Sequence, residues 1–417
     1  MKMKKNKLYQ LKNFIIFILL AISIITCIPA HAEEIITAQN GYSEDGLWLY
    51  NDYGDGTISV TCQDNTITEA EIPAEIDGHI ITMVELDCFK DNTSLKKVIL
   101  PSTITAIEDY AFYECFGLES INIPENVEKI GFQAFYGCNL HEITIPASVT
   151  EIEGWAFEGC NSLEAIHVAK GNQNYVDEDG ILFDIDKTEL LLYPSAKTDT
   201  SYTVPETCVK LESYAFMANQ FLQEININSV QEMGEDIFYY CTSLESIAIP
   251  ESITELKGSM FGNCTSLRTV ILPEGITSLG SGCFYNCVSL EELQLPDSLT
   301  SINDYAFFNC ASLKSLTVSE NVKSIGKYAM GWYYGEDSNT SDNQEDSYKI
   351  LPNFEIDANN GTKAFEYAAE NSIKCTGGIT QGIVFVYIMI GIVILVILAV
   401  IGLVIMQKRY QKQHELF

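Results

Sequence analysis

Apolar residues recur along most of this chain in one fixed arrangement, L-x-x-I-x-I-P followed by a second apolar pair, then a phenylalanine and, three residues on, a cysteine. The clearest run places Phe238, Phe261, Phe284 and Phe307 at steps of 23, and Cys241, Cys264, Cys287 and Cys310 keep the same step. Self-similarity at such a period signals a solenoid, in which no single unit can bury its apolar face alone. Within each unit the L-x-x-I-x-I segment predicts a short strand. Leu95, Val98 and Leu100 should point inward, as should Leu118, Ile121 and Ile123, with the intervening residues outward. The proline after each strand cannot donate to a ladder and should end it.

An earlier run carries the same pattern. Phe89, Phe112, Phe135 and Phe157 step by 23, 23 and 22, with Cys115, Cys138 and Cys160 three residues after the last three. The phenylalanine and cysteine columns of both runs are read as core. From Phe157 to Phe216 the step is 59, too long for two units and short of three. Here Ile181–Asp184 and Glu189–Tyr193 predict a β-hairpin inserted at about 170–204. Residues 33–68 precede the repeats and suit an N-terminal cap, since a terminal repeat otherwise exposes an apolar edge. The repeats then cover 69–334. An acidic loop is expected over 335–350 and a C-terminal cap over 351–375, with a short helix where Ala364, Phe365, Ala368 and Ala369 keep helical spacing.

The ends of the chain change the picture. Met1–Asn13 holds five lysines and no acid, Phe14–Ile25 is apolar, and Ala30-His31-Ala32 offers a cleavage site. Residues 1–32 therefore predict a secretory signal peptide. Cys27 raises a lipoprotein alternative, but the residue before it, Thr26, is not the small residue that lipidation prefers. Ile383–Met406 is 24 residues long without a charge, enough for a transmembrane helix. The basic start of 407–417 predicts a cytoplasmic tail. The expected localisation is the plasma membrane, single-pass, with the repeats outside.

The chain has 57 acidic against 24 basic residues, a net charge of −33. Such a surface repels nucleic acid, whose binding rests on phosphate neutralisation, and suits cations, basic partners or plain solubility. Thirteen cysteines in a secreted chain suggest disulfides. Their place in one repeat column favours buried reduced thiols, although neighbouring rungs could bring two sulfurs together. Asp177-Glu178-Asp179-Gly180 invites a calcium reading but lacks the loop and closing glutamate of an EF-hand. No catalytic constellation, phosphate loop or cofactor motif is present in the sequence, so no enzyme and no cofactor are expected.

Binding is the better expectation. Outward strand residues of successive rungs should align as a face, drawn from Lys96, Lys97, Glu119, His141, Glu142, Glu164, His167, Glu224, Glu245, Arg268, Glu291, Glu292 and Lys314. That face lacks the aromatic and arginine anchors typical of hot spots, so a solvated face without a partner remains the alternative. The hairpin is a second candidate contact.

The unit A-F-x-x-C-x-S-L-x-x-I-x-I-P, with Tyr110-Ala111-Phe112, Trp155-Ala156-Phe157 and Tyr305-Ala306-Phe307, resembles the BspA-type leucine-rich repeat. The resemblance covers roughly residues 60–375. It implies a right-handed leucine-rich-repeat superhelix, mainly β with short helical turns, here joined to one C-terminal transmembrane helix. It further implies surface display and adhesion-type binding of an extracellular protein or glycan, with no fixed ligand and no catalytic set. A structural coat, or an accessory that binds polysaccharide, is the alternative.

Overall fold

The computed structural model describes residues 39–335 and 344–377. The signal segment 1–32, the apolar run 383–406, the tail 407–417 and the middle of the acidic loop lie outside them. Among the described residues no helix is long and apolar enough to cross a membrane.

The chain winds into stacked coils, each with three sides. One side is a front strand, such as Lys97–Ile99, Glu142–Ile145 or Thr269–Ile271. The second is a two-residue strand, such as Ala106–Ile107 or Lys129–Ile130. These strands pair in parallel with their counterparts in neighbouring coils, for example Ser246–Ala248 with Thr269–Ile271 and Ala106–Ile107 with Lys129–Ile130. Parallel pairing of like with like follows from the repeat, because each coil presents the same residues at the same height.

The third side carries the phenylalanine. It is a run of hydrogen-bonded turns and not the short helical turn expected. In the Phe112 coil both Tyr110 (φ 56°) and Glu114 (φ 56°) are left-handed, which breaks any helix. Every second backbone N–H is thereby aimed along the stack. Tyr110, Phe112 and Glu114 donate to the carbonyls of Phe132, Ala134 and Tyr136 in the next coil at 2.8–2.9 Å. Glycine is required where the coils touch most closely. A Cβ on Gly131 would lie 2.5 Å from the Asp109 nitrogen, and Gly234, Gly280 and Gly326 stand at the same repeat position with equal crowding.

The core runs along the stack axis. Phe89, Phe112, Phe135 and Phe157 stack in one column and Phe216, Phe238, Phe261, Phe284 and Phe307 in another, with neighbouring centroids 5.1–5.4 Å apart. Trp48 closes the first column edge-on at Phe89, 5.9 Å away. Each column cysteine is buried, and its thiol donates to the carbonyl of the preceding coil's phenylalanine, as in Cys264 to Phe238 (3.1 Å) and Cys138 to Phe112 (3.2 Å). Every cysteine among the described residues is a free thiol. Burial pushes Cys115, Cys160, Cys241 and Cys310 up to about 12, so these sulfurs are protonated at neutral pH.

Both caps are more elaborate than their sequence suggests. Gln39–Tyr42, Trp48–Asp52 and Ile58–Cys62 form an antiparallel meander whose last strand joins the two-residue sheet through Met83–Val84. At the other end Glu355–Asp357 and Lys374–Cys375 extend the front sheet beyond Ser315–Thr317. Between them lies the helix Lys363–Glu370, capped by the Thr362 hydroxyl. Tyr348–Ile350 is not loop: it pairs with Trp332–Tyr334 as a hairpin. Gln344–Ser347 forms a single 3-10 turn before it.

The insertion is also larger than a hairpin. Tyr175–Glu178 pairs with Ile181–Asp184, and that strand with Glu189–Leu192, making a three-stranded meander. Its last strand pairs in parallel with Lys210–Leu211 and so becomes the first member of the next two-residue sheet. Tyr193 then takes the phenylalanine position, stacked on Phe216 at 5.0 Å and fully buried.

Candidate binding face

The outward positions of the front strands form one side of the stack. Glu69, Lys97 and Ser120 stand in register, as do Ser201, Glu224, Ser246 and Thr269. Lys96, Lys97, Glu119, His141, Glu142, Glu164, His167, Glu224, Glu245, Arg268, Glu291, Glu292 and Lys314 are all exposed. The position before each strand is also in register, since Glu119 donates its N–H to Lys96, Glu164 to His141 and Arg268 to Glu245 at 2.8–2.9 Å. Two pairs join neighbouring rungs through side chains, His141 with Glu164 (3.7 Å) and His167 with Glu142 (3.9 Å).

The face is not one continuous sheet. Ser120–Ile121 and Glu142–Ile145 belong to separate sheets, and so do Ala165–Val168 and Ser201–Thr203. The Glu291–Glu292 rung, expected to be a strand, is not one. It keeps the exposure pattern, with Leu293 buried between exposed neighbours, but makes no ladder with Thr269–Ile271 or Ser315–Thr317. These two glutamates therefore sit on an irregular segment between two ladders.

A third outward column follows the expected alternation, although only His167 of it was named as a face residue. It is the central residue of the I-x-I triplet, and it holds Ile99, Thr144, His167, Thr203, Asn226, Ala248 and Ile271. Its signal was the same alternation that placed the other outward residues, since the residue between two inward isoleucines must face out. In the second block this column helps line an open groove of about 490 Å³, with Ser201, Thr203, Glu224, Asn226, Thr269 and Ile271 along it. Ile271 is 62% exposed there, and Tyr202, Ile225, Ile247 and Ala248 add apolar surface among the polar residues.

The meander creates a second concavity, on another side of the stack. A cleft of about 420 Å³ opens between Ile152–Glu158 and the Glu189–Leu192 and Glu212–Tyr214 segments, with Tyr175 and Leu182 also lining it. Trp155, 40% exposed, meets Tyr214 edge-on across the opening at 5.0 Å. Glu158 stands in its wall, and burial raises its carboxyl to about 7, helped by nearby Asp236. Asp236 is raised too, chiefly by burial. The hairpin strands that supply Leu182 and Glu189–Leu192 were expected as a second contact and Trp155 was read only as a repeat residue, whereas Glu158 and Asp236 were not singled out, because what brings them together is the break in the stack. No group of residues suited to a metal ion is found among the described residues.

The stack of parallel coils, with an L-x-x-I-x-I strand and a phenylalanine turn in each, defines a leucine-rich-repeat β-solenoid. The model of the BspA type leucine rich repeat region matches residues 82–179, 195–310 and 231–332, with six copies, so the chain belongs to that family. Among solved structures it is similar to a leucine-rich repeat protein from Eubacterium ventriosum ATCC 27560. That likeness has 26% identity and a TM-score of 0.55 over 70% of this chain and 94% of that one. A leucine rich cell surface protein from Faecalibacterium prausnitzii A2-165 matches at 23% identity and a TM-score of 0.44, over 74% of this chain and 97% of that one. The pneumococcal vaccine antigen PcpA matches at 20% identity and a TM-score of 0.49, over 81% and 98%. No curated protein matches the chain.

Proposed function

We propose that this chain is a cell-surface binding protein that holds an extracellular protein or glycan through its front face. Family membership supports a binding role, because solenoids of stacked repeats present extended surfaces to partners. The observation that carries the choice of face is the open groove of about 490 Å³ over Ser201, Glu224 and Thr269, with Ile271 exposed at its floor. An apolar side chain amid hydroxyls and amides is the composition of a contact patch. In this reading residues 1–32 direct export, 383–406 anchor the chain in the plasma membrane, and 407–417 stay inside. The acidic balance of the whole chain disfavours nucleic acid as the partner.

The test uses cells displaying the full chain, probed with extracellular-matrix proteins and mucin glycans, beside a T203K/I271E variant. Saturable binding that weakens at least about tenfold in the variant, a loss of roughly 1.4 kcal/mol, supports the groove as the site. Binding unchanged by the variant removes the front face from the mechanism. Absence of any saturable binding favours a structural coat.

A further inference from the structure

The turn side of the stack is itself a hydrogen-bond ladder, and it is interrupted at the meander. In coil after coil, the N–H groups two before, at, and two after the column phenylalanine donate to the next coil. Gln133, Phe135 and Gly137 donate to Gly154, Ala156 and Glu158, and Ser259, Phe261 and Asn263 to Ser281, Cys283 and Tyr285. The corresponding donors in the last coil before the meander are Trp155, Phe157 and Gly159. None of the three has an acceptor among the described residues. The neighbouring coil is close where Ser195 Oγ donates to the Cys160 carbonyl (2.9 Å) and Ala196 N to Leu163 O (2.8 Å). It draws away at Trp155, which opens the cleft of about 420 Å³.

Elsewhere some backbone donors at the ends of a ladder are met by a side chain. At the end of the second block the equivalent N–H, on Met330, donates to the Tyr367 hydroxyl (3.2 Å) supplied by the capping helix. In the two-residue sheet beside the gap, Ile152 N–H donates to the Tyr175 hydroxyl (2.9 Å). The three turn amides are left with no such partner, although paired backbone groups are the rule.

We propose that the cleft docks an extended, basic segment of a partner protein, which supplies the missing carbonyls to Trp155 and Phe157, the two of these residues that line it. Addition of a chain segment to an open edge is an established recognition mode, in which backbone bonds give affinity and side-chain pockets give selectivity. The side-chain chemistry follows from the lining. Ile152, Leu182 and Leu191 offer apolar contact. Glu153, Glu158, Asp184, Glu189 and Glu212 line the cleft without a lysine or arginine among them. Lys129 pairs with Glu153 (2.8 Å), and Lys210 pairs with Glu189 (3.4 Å) and with Glu212. Glu158 and Asp184 have no ion-pair partner among the described residues, although Asp184 accepts from Thr188 Oγ1 and Glu189 N; burial raises the Glu158 carboxyl to about 7, and a lysine or arginine of the incoming segment would favour its ionised form. The exposed Trp155 ring at the mouth adds a face for an aliphatic stem or a cation.

The test applies hydrogen exchange to the full chain in detergent, with an eight-residue peptide alternating leucine and lysine as the probe. In the free chain the amides of Trp155, Phe157 and Gly159 should exchange fast while those of Phe135 and Phe261 are protected. The peptide should slow Trp155 and Phe157, and Glu158→Lys should weaken its binding at least about tenfold. A leucine–glutamate peptide should not bind, and Ile271→Glu on the front face should leave binding unchanged, which separates this site from the groove. Protection of the three amides in the free chain would overturn the proposal. So would peptide binding without protection of Trp155 and Phe157, or no binding of the peptide at all.

Discussion

Two residues in each phenylalanine turn, two positions before and two after the column phenylalanine, adopt left-handed backbone. Glycine fills some of them, such as Gly137, Gly159 and Gly282, and asparagine or aspartate others, such as Asp236, Asn263 and Asn286. These are the residues that tolerate positive φ at least cost. Ala218 (φ 60°) does not fit that set, for its side chain has no polar atom to bond locally. Its N–H is held by the Tyr239 carbonyl at 2.8 Å, so the conformation is imposed by the stack. Ala218→Gly should therefore stabilise the protein by about 0.5–1 kcal/mol, the relief of left-handed strain exceeding glycine's extra entropy in the unfolded chain. Denaturant titration measures this, and a loss of stability would contradict it. The cysteine position shows a related economy. Asn92 and Asn219 occupy it in the first coil of each block, buried, with Asn219 donating to Pro194 O (3.2 Å) and Lys197 O (3.0 Å). A cysteine there could satisfy one carbonyl, whereas the amide reaches two and also accepts from Leu222 N (2.8 Å).

The unit of the fold is the coil, and its stability rests on the aromatic column. Phe261 is fully buried and stacks on Phe238 and Phe284 at 5.4 Å on either side. Phe261→Ala removes one ring from a column that cannot close over the space, because backbone ladders fix the coil spacing. The expected cost is about 3–5 kcal/mol, read by thermal or denaturant unfolding, and near-wild-type stability would refute the column as the core. This much was legible in the sequence, since a 23-residue step of phenylalanine and cysteine has no explanation other than like coils in like surroundings. Tyr193 was equally legible in principle, lying 23 residues before Phe216, but the hairpin reading absorbed it into a strand. Helical turns were expected by resemblance and are absent, because left-handed residues on both sides of each phenylalanine stop a helix before it starts.

At the scale of the whole molecule the solenoid has two cores. One runs from Trp48 to Ile166 and the other from Ile181 to Ile373. They meet on the meander, where Leu182 belongs to the first while Ile181 and Phe183 belong to the second, and where Leu190 belongs to the second while Leu191 and Leu192 pack against the first. Alternation of side chains across a strand makes that division possible. Repeat arrays gain stability from nearest-neighbour contacts, so a weak junction should uncouple what lies on either side. Phe112→Ala should lower amide protection at Val98 and Ile130 and leave Ile247 and Val270 near their wild-type values in native-state hydrogen exchange. Uniform loss along the chain would show that the two blocks unfold as one.

The sequence by itself determined the repeat, the inward and outward positions, the columns of phenylalanine and cysteine, and the place where the period fails. All of these are one-dimensional, for a solenoid contacts only its neighbours and writes each contact into a fixed spacing. Only the tertiary structure decided what the failure of the period builds. Whether the meander closed the gap between coils or left it open depended on how the Glu189–Leu192 strand joined the next sheet. With that strand paired to Lys210–Leu211, Trp155 and Phe157 face a cleft. The groove on the front face was decided in the same way, because a spacing fixes which residues line a surface but not how the surface curves.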